Sequence, residues 1–215
     1  KLATGSKYVL IDIPAGKGAK VSRKEAKKLK NNFLKIGKKL KLKIRVVITD
    51  GSQPIGNGIG PVLEIKDILS VLRRENSPKD LEKKCIFLAG EIFEMVGKSK
   101  KGKGKILAKE ILDSGKAFKK FEEIIEAQEG KFTYLKSSKF IQKIKSKKSG
   151  KVSQIDNKKI SYLARLAGCP LDKASGLYLH KHKGEKIKKG EKLLTIYSES
   201  KQKMKDSLNY LKEEK

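Results

Sequence analysis

The sequence predicts an α/β protein, and three observations lead to that class. Two short apolar runs rich in β-branched residues, 8–13 and 44–49, have the composition of strands that are covered on both faces. A segment with helical periodicity lies between them. From about residue 136 the pattern changes to short strand-like pieces with one helix. We therefore predict part of a mixed or parallel sheet with flanking helices in residues 1–135, followed by a separate small α+β domain in residues 136–215.

The segment from residue 8 to residue 49 is predicted to be a strand–helix–strand unit. Ser22 and Glu25 have the spacing of a capping box, so a helix should begin there. Its apolar positions recur at intervals of three and four, namely Ala26, Leu29, Phe33, Ile36 and Leu40. Such a unit forms a parallel strand pair, so the loops after residues 13 and 49 should emerge at the same edge of the sheet. Ligands of open α/β sheets bind outside that edge.

Further helices are predicted to follow the second strand. An apolar stripe begins near residue 62, and Ser77-Pro78 places proline at the first position of another helix. The two stripes consist of Val62, Ile65, Ile68, Leu69 and Leu72, and of Leu81, Cys85, Leu88, Ile92 and Met95. The remaining predicted elements are helices near 106–112, 118–127 and 157–168 and turns at 183–184 and 189–190.

The formal net charge of +29 is the most prominent feature of the composition. It favours a nucleic-acid-binding module, because phosphate neutralisation rewards basic surfaces. Two observations weaken that interpretation. Arginine, which forms bidentate contacts with phosphates and guanines, is rare, and the lysines are spread along the whole chain rather than gathered beside aromatic residues. A solvated lysine-rich surface is the preferred interpretation, and nucleic acid binding stays the alternative.

Several classes of protein are disfavoured by what the sequence contains. No apolar run approaches the roughly 18 residues of a membrane span, and no signal-peptide pattern opens the chain, so a soluble cytoplasmic protein is expected. Cys85 and Cys169 lie far apart, which favours packed thiols over a disulfide or a zinc site. His180 and His182 would share one face of a strand, and we interpret them as an exposed pair rather than as metal ligands.

Glycine-rich loops follow both predicted strands. In residues 14–20, two glycines allow backbone amides to hold an anion, and a tight turn explains the same residues equally well. The loop TDGSQPIGNGIGPVLEIKDIL, residues 49–69, contains four more glycines. Its carbonyls could converge on a hard cation such as potassium, with Asp67 as a carboxylate ligand. The alternative is a crossover that packs closely beneath a neighbouring segment.

The segment LDKASG, residues 171–176, and the glycine pattern after it resemble half of a lipoyl or biotinyl carrier domain. In that family the modified lysine, here Lys173, lies on a hairpin well before the glycine pattern. Only two residues separate Lys173 from Gly176 in this chain. The resemblance therefore implies a related topology of the barrel-sandwich type without the modification, and a carrier domain stays a rival interpretation.

Three segments together resemble the thymidine and pyrimidine-nucleoside phosphorylase family, and most closely its archaeal AMP phosphorylase branch. KLATGSKYVLIDIPAGKGAK matches the family pattern S-K-K-L-x-x-G…V-x-D-V-x-x-G-x-G-A, and the loop of residues 49–69 matches T/S-D-x-x-Q-P-x-G…G-N/P-x-x-E-V/I. The tail around LDKASGLYLHKHKGEKIKKGEKLLTIYSES extends the resemblance over essentially the whole chain. The Gly-Gly pair of the family's phosphate-binding loop does not occur. The resemblance therefore implies the C-terminal part of a longer enzyme.

The resemblance also implies an activity for the complete enzyme. It would cleave AMP, and also CMP and UMP, to a free base and ribose 1,5-bisphosphate, with inorganic phosphate as co-substrate and no required cofactor. The catalytic groups would lie upstream, so none is expected in this chain and the isolated chain should be inactive. A homodimer or a higher homo-oligomer is expected for the complete protein. Within the family, a pyrimidine or thymidine phosphorylase fragment is the alternative.

Candidate site residues follow from the same resemblance. Lys1 aligns with the second lysine of S-K-K, which puts the base-binding lysine just before it, and a shift of one residue would make Lys1 that lysine. Some members bind a structural potassium through two carbonyls and a carboxylate, and these positions fall on Ile55, Gly58 and Asp67.

Two lysines mark a departure from the family. After G-x-G-A many nucleoside phosphorylases carry a bulky apolar residue beside the base, but this chain has Lys20, with Lys17 nearby. A substrate with a 5′-phosphate needs extra cations close to the sugar, and lysine offers a compact one. We therefore expect Lys17 or Lys20 to favour a nucleotide over a nucleoside.

Overall fold

The structure is a computed structural model, and it describes residue 1, residues 3–131 and residues 135–213. In chain order its elements are β1 (Tyr8–Ala15), α1 (Arg23–Lys39), β2 (Lys43–Asp50), β3 (Gly58–Ile59), α2 (Pro61–Leu72), α3 (Lys79–Met95), α4 (Gly104–Asp113), α5 (Lys116–Ala127), β4 (Phe140–Lys145), β5 (Gly150–Lys151), α6 (Asn157–Leu166), β6 (Gly176–Leu179), β7 (Lys186–Ile187), β8 (Lys192–Ser198) and α7 (Lys201–Glu213). The predicted α/β class is confirmed.

The chain divides into two compact units. One unit combines Lys1–Ser52 with Asp80–Lys116, and the other combines Gln53–Lys79 with Ala117–Lys215. Residues 53–79 therefore group with the C-terminal part of the chain. The domain boundary at residues 135 and 136 stays a prediction.

The first unit contains the predicted strand–helix–strand arrangement. β1 and β2 pair in parallel, from Tyr8 opposite Lys43 to Ala15 opposite Asp50. The capping box is present, since the Glu25 amide donates to the Ser22 hydroxyl at 3.2 Å and the Ser22 amide donates to the Glu25 carboxylate at 2.7 Å. The buried core of the unit consists of Ile13, Ala15, Ala26 and Val46. Apolar periodicity and capping were sufficient to predict this unit.

The second unit has an antiparallel sheet in the order β3-β6-β8-β4 and a separate β5–β7 pair. Helices α6 and α7 cover one face of the sheet, with Leu163, Leu177, Ile196 and Met204 in the core between them. The predicted α+β arrangement is confirmed. Within the described residues the strands form an open sheet and a two-stranded pair rather than a closed barrel. Helix α7 was not predicted from the sequence.

The structure contains no helix, within the residues it describes, that is long and apolar enough to cross a membrane.

Candidate functional site

The carboxyl ends of β1 and β2 bring two loops together, as the sequence predicted. The Gly51 amide donates to the Ala15 carbonyl at 3.0 Å. A hydrogen bond therefore connects the first residue after β2 with the last residue of β1. A Cβ atom at Gly16 would lie 3.3 Å from a carboxylate oxygen of Asp50. This edge of the parallel pair is where α/β sheets bind ligands, and it is the candidate site of the first unit.

The loop after β1 is a tight turn that leaves two lysines exposed. The Gly16 amide donates to the Val21 carbonyl, and the Ala19 amide donates to the Gly16 carbonyl, both at 3.2 Å. These two amides are therefore used within the turn, which favours the turn over the anion cradle as the explanation of the glycines. Lys17 and Lys20 are both exposed beside this turn. The positive charges that this edge offers to a ligand are therefore those of the Lys17 and Lys20 side chains.

A polar network that sequence analysis missed lies next to the carboxyl edge. Asp12 of β1 accepts a hydrogen bond from the Thr49 hydroxyl at 2.7 Å and forms an ion pair with Lys84 of α3, also at 2.7 Å. Lys84 donates in turn to the Thr49 hydroxyl at 3.2 Å. Each member of the triad therefore contacts the other two. The network ties α3 to both strands below the loops, and the signal available in the sequence was a carboxylate inside an apolar strand.

In the second unit, Asp67 of α2 holds the glycine-rich loop in place. Its carboxylate is 5% exposed, and one oxygen accepts the amides of Asn57 at 2.6 Å and of Gly58 at 2.7 Å. Charged acceptors strengthen such hydrogen bonds, and a buried amide without a partner is costly. Asp67 therefore has a structural role in fixing residues 57 and 58, whatever else it binds.

The backbone of Gly58 is directed towards Asp67, the carboxylate of the predicted potassium site. Gly58 lies opposite Tyr178 between hydrogen-bonded pairs of the β3–β6 ladder, so its amide and carbonyl both face away from β6. That is the side on which the amide meets Asp67. Gly58 and Asp67 therefore lie next to each other, as a shared site requires, whereas Ile55 is 41% exposed outside the strand. Their role as ligands stays a prediction. The described residues contain no cluster of three or more His, Cys, Asp or Glu side chains that could hold a metal.

Asn57 links the glycine-rich loop to the C-terminal sheet, and sequence analysis did not single it out. Its side-chain amide donates to the Tyr178 hydroxyl at 3.1 Å, and its side-chain oxygen is 2.9 Å from Nε2 of His182. Its carbonyl accepts the Leu179 amide at 2.8 Å. Because an amide oxygen only accepts, a hydrogen bond here has Nε2 of His182 as its donor. Local sequence gives no sign of these contacts, since the partners are more than a hundred residues apart.

The interpretation of the histidines as an exposed pair was wrong. His180 and His182 are both half-buried. Nε2 of His180 lies 2.8 Å from the hydroxyl of Thr195, which is 2% exposed. The physical reason for His180 is that the chain continues past Leu179 along β8, where the His180 amide donates to the Leu193 carbonyl at 2.9 Å. His182 begins the turn that ends at Glu185, and its ring lies against Asn57.

His180 gives the folding of the second unit a pH dependence. Burial lowers its pKa from 6.5, and the charges of Lys192 and Lys143 lower it further. Below about pH 6.5 the unfolded chain therefore binds more protons than the folded chain, so stability should fall as the pH falls from 6.5 towards the lowered pKa. We expect His180→Gln to flatten this dependence in urea unfolding between pH 5 and 8. An unchanged pH profile in that variant would show that another group is responsible.

Lys1 and Lys173 are two further candidate residues whose backbone carbonyls accept hydrogen bonds. Lys1 is exposed, and its carbonyl accepts the amides of Thr4 and Ser6, both at 3.2 Å. Lys173 is exposed in the turn before β6, and its carbonyl accepts the Val62 amide at 3.1 Å. Neither contact involves the side chain, so base binding by Lys1 and modification of Lys173 stay predictions.

Comparison with known proteins gives the family. The profile described as "Pyrimidine nucleoside phosphorylase C-terminal domain" matches residues 151–214. A Legionella pneumophila (strain Corby) protein, whose name assigns it to the thymidine phosphorylases, is 46% identical over 93% of this chain and 39% of its own length. Proteins named AMP phosphorylase from Pyrococcus furiosus and Thermococcus kodakarensis are 47% and 46% identical, each over 93% of this chain and 41% of their own length.

These relatives show which family the chain belongs to and how much of its members' length the chain covers. The chain spans about two fifths of the length of the relatives it matches. The similarity extends over nearly all of its residues and includes both the strand–helix–strand unit and the C-terminal sheet. The chain belongs to the thymidine and pyrimidine-nucleoside phosphorylase family and corresponds to the C-terminal portion of its members.

Proposed function

We propose that this chain is the C-terminal part of a nucleotide phosphorylase, a pentosyltransferase that acts on AMP and also on CMP and UMP. The observation that carries the proposal is the similarity over 93% of the chain to proteins named AMP phosphorylase. The reaction breaks the bond between C1′ of the ribose and the base nitrogen, and forms a bond from C1′ to a phosphate oxygen. The base leaves with a proton, and the sugar leaves as ribose 1,5-bisphosphate.

This reaction needs a phosphate cradle, a group that protonates or stabilises the departing base, and exclusion of water so that phosphate attacks instead. In our proposal those groups come from other parts of the complete protein. The present chain contributes the carboxyl edge of β1 and β2 as one wall of the substrate cleft, with Lys1 at or next to the base-binding position. The isolated chain should accordingly have no phosphorolytic activity.

Lys17 and Lys20 are proposed to hold the 5′-phosphate of the nucleotide. Both are exposed next to the turn at the carboxyl edge of the parallel pair. In the complete enzyme, replacing both with Ala should lower the ratio of kcat/KM for AMP to that for adenosine by about 10- to 100-fold, since charged hydrogen bonds contribute roughly 1.5–3 kcal/mol. Replacing Lys24 and Lys27, exposed on α1, removes the same charge and should leave the ratio unchanged. An unchanged ratio in the first variant would refute this role.

The other parts of the proposal concern ions and assembly. Ile55, Gly58 and Asp67 are proposed to bind a structural potassium ion, whose chemistry would be to neutralise the Asp67 carboxylate and fix the loop. No further cofactor is proposed beyond phosphate as co-substrate. The complete protein is proposed to be a homodimer or a higher homo-oligomer in the cytoplasm.

The alternative is a thymidine or pyrimidine-nucleoside phosphorylase, which the Legionella relative favours through its name. Release of free base from AMP, adenosine and thymidine by the complete protein, with and without phosphate, distinguishes the two. We expect phosphate-dependent release from AMP in preference to both nucleosides. Preferential release from thymidine would support the alternative, and no release from any substrate would refute both.

A further inference from the structure

Two turns of the second unit form a dense basic surface that the proposed function does not use. Residues 143–151 contain five lysines and no acidic residue, and residues 181–192 contain six lysines and two glutamates. We call these two segments together the lysine surface. Its lysines are 143, 145, 147, 148, 151, 181, 183, 186, 188, 189 and 192, and all but Lys181 are exposed.

Backbone pairing places the two segments side by side. The Ser146 amide donates to the Glu191 carbonyl at 2.8 Å, and the Gly190 amide donates back to the Ser146 carbonyl at 2.9 Å. The Lys189 amide also donates to the Ser149 hydroxyl at 2.9 Å. The tips at 147–148 and 188–189 are therefore neighbours, although they are about forty residues apart in the chain.

Like charges face each other across the strands of this surface. Lys151 is the direct partner of Lys186 in the β5–β7 pair, and Lys145 comes next to Lys192 at a shift of register between β4 and β8. Side chains directly opposite each other on neighbouring strands lie on one face about 5 Å apart, where two like charges are destabilising. The fold therefore keeps one directly opposed pair of lysines, Lys151 and Lys186, whose repulsion a bound anion would relieve.

Carboxylates of the protein do not relieve this repulsion. Glu191 pairs with Lys181 at 3.3 Å and accepts the Lys188 amide, and Glu185 accepts the His182 amide. Among the described residues, no carboxylate lies within ion-pair distance of the ten exposed lysines of the surface. The lowered pKa of His180, caused by burial and then by Lys192 and Lys143, is consistent with a positive potential that extends onto the sheet.

One lysine of this surface, Lys143, shares a face of the sheet with two tyrosines. Lys143 of β4 is paired with Thr195 of β8, and Thr195 is paired with Tyr178 of β6. Ile141 of β4 is paired with Tyr197 of β8. Lys143 and the two tyrosines therefore share one face of the sheet. Tyr178 and Tyr197 are half-buried, and Tyr178 lies 5.1 Å from the His180 ring between centroids. Lysines beside aromatic rings are the combination with which proteins hold single-stranded nucleic acids.

We propose that the lysine surface binds the phosphate backbone of single-stranded RNA without sequence specificity. Nucleic acid is preferred to an anionic membrane because the turn tips at 147–148 and 188–189 offer no exposed apolar side chain for insertion, since Ile187, the apolar residue next to the second tip, is only 7% exposed. The expectation from sequence order, that the lysines are scattered, does not apply to this surface because strand pairing gathers residues from two segments. This inference is independent of the proposed phosphorolysis.

Salt-dependent binding of a fluorescent 20-nucleotide poly(U) RNA to the 215-residue chain tests the proposal. If about six phosphates are contacted, the logarithm of the association constant should fall with the logarithm of the KCl concentration with a slope of about −4. The five substitutions K145Q, K148Q, K151Q, K186Q and K189Q should reduce that slope to about −1 and weaken binding at low salt by about tenfold or more.

A matched control is available on α1. The substitutions K24Q, K27Q, K28Q, K35Q and K38Q remove the same charge from exposed positions of another element. They should leave the affinity and the slope close to those of the unmodified chain. Thermal unfolding checks both variants, because exposed substitutions usually change stability by only about 0.5 kcal/mol.

Four results would overturn the proposal. The first is RNA binding that the surface variant retains in full, and the second is an equal loss in both variants, which would indicate general attraction to net charge. The third is complete displacement of RNA by phosphatidylserine vesicles at equal anion concentration, which would assign the surface to membranes. The fourth is absence of RNA binding to the unmodified chain at about 50 mM KCl, where about six phosphate contacts should give measurable affinity.

Discussion

Asp67→Ala is expected to lower the free energy of unfolding of the second unit by about 3–5 kcal/mol, because two amides lose a charged acceptor at a buried site. The carboxylate is 5% exposed and accepts the amides of Asn57 and Gly58 through one oxygen. Its loss should release residues 57 and 58, and with them the contacts of Asn57 to Tyr178 and His182. Urea unfolding followed by circular dichroism measures the change.

Two further variants separate the contributions of shape, charge and ion binding. Lys66→Ala changes an exposed neighbour on α2 and should be close to neutral. Asp67→Asn keeps an acceptor for the amides but removes the charge, so it should cost less than Asp67→Ala. If potassium binds, KCl should raise the unfolding temperature of the unmodified chain above that in NaCl of equal concentration, and Asp67→Asn should abolish the difference. A stable Asp67→Ala variant would contradict the structural role.

Gly176→Ala is expected to destabilise the second unit by about 3 kcal/mol or more, since backbone strain contributes about 1–3 kcal/mol and overpacking a similar amount. Gly176 is buried with φ of +153°, and an added Cβ would overlap the Ile59 carbonyl oxygen and approach Gly60 Cα at 3.2 Å. Both neighbours are backbone and cannot rotate away. The pairing of β3 with β6 should therefore open.

Gly150→Ala is the matched control for this substitution. Gly150 lies on exposed β5, and an added Cβ there would meet nothing within 4 Å. This variant should be neutral or slightly stabilising, because Ala has fewer unfolded conformations than Gly. Equal stability of the two variants would contradict the close approach of β3 and β6.

Local patterns were enough to predict the first unit. The apolar periodicity of residues 26–40, the capping box and the two strand-like runs all depend on neighbouring residues, and the structure places β1, α1 and β2 where they indicate. The chirality and parallel pairing of such units then predict that both loops lie at one edge. The contact between Gly51 and Ala15 agrees with that prediction.

Long-range pairing accounts for what the sequence did not show. Residues 58–59 look like part of a glycine-rich loop, yet they form β3 because β6 offers a free edge more than a hundred residues later. The contacts of Asn57 with His182 and of Lys84 with Asp12 arise in the same way. Hydrophobic periodicity carries no information about which polar residues will meet. Helix α7 was missed because its apolar positions stand among many charged residues.

The measurement that tests the central claim most directly is phosphorus-31 NMR of AMP and inorganic phosphate incubated with the complete protein. The account predicts that phosphate is consumed and that 1-phosphate and 5-phosphate resonances of one ribose appear in equal amounts as adenine is released. Ribose 5-phosphate alone, formed without consumption of phosphate, would show hydrolysis and would contradict the proposed phosphorolysis.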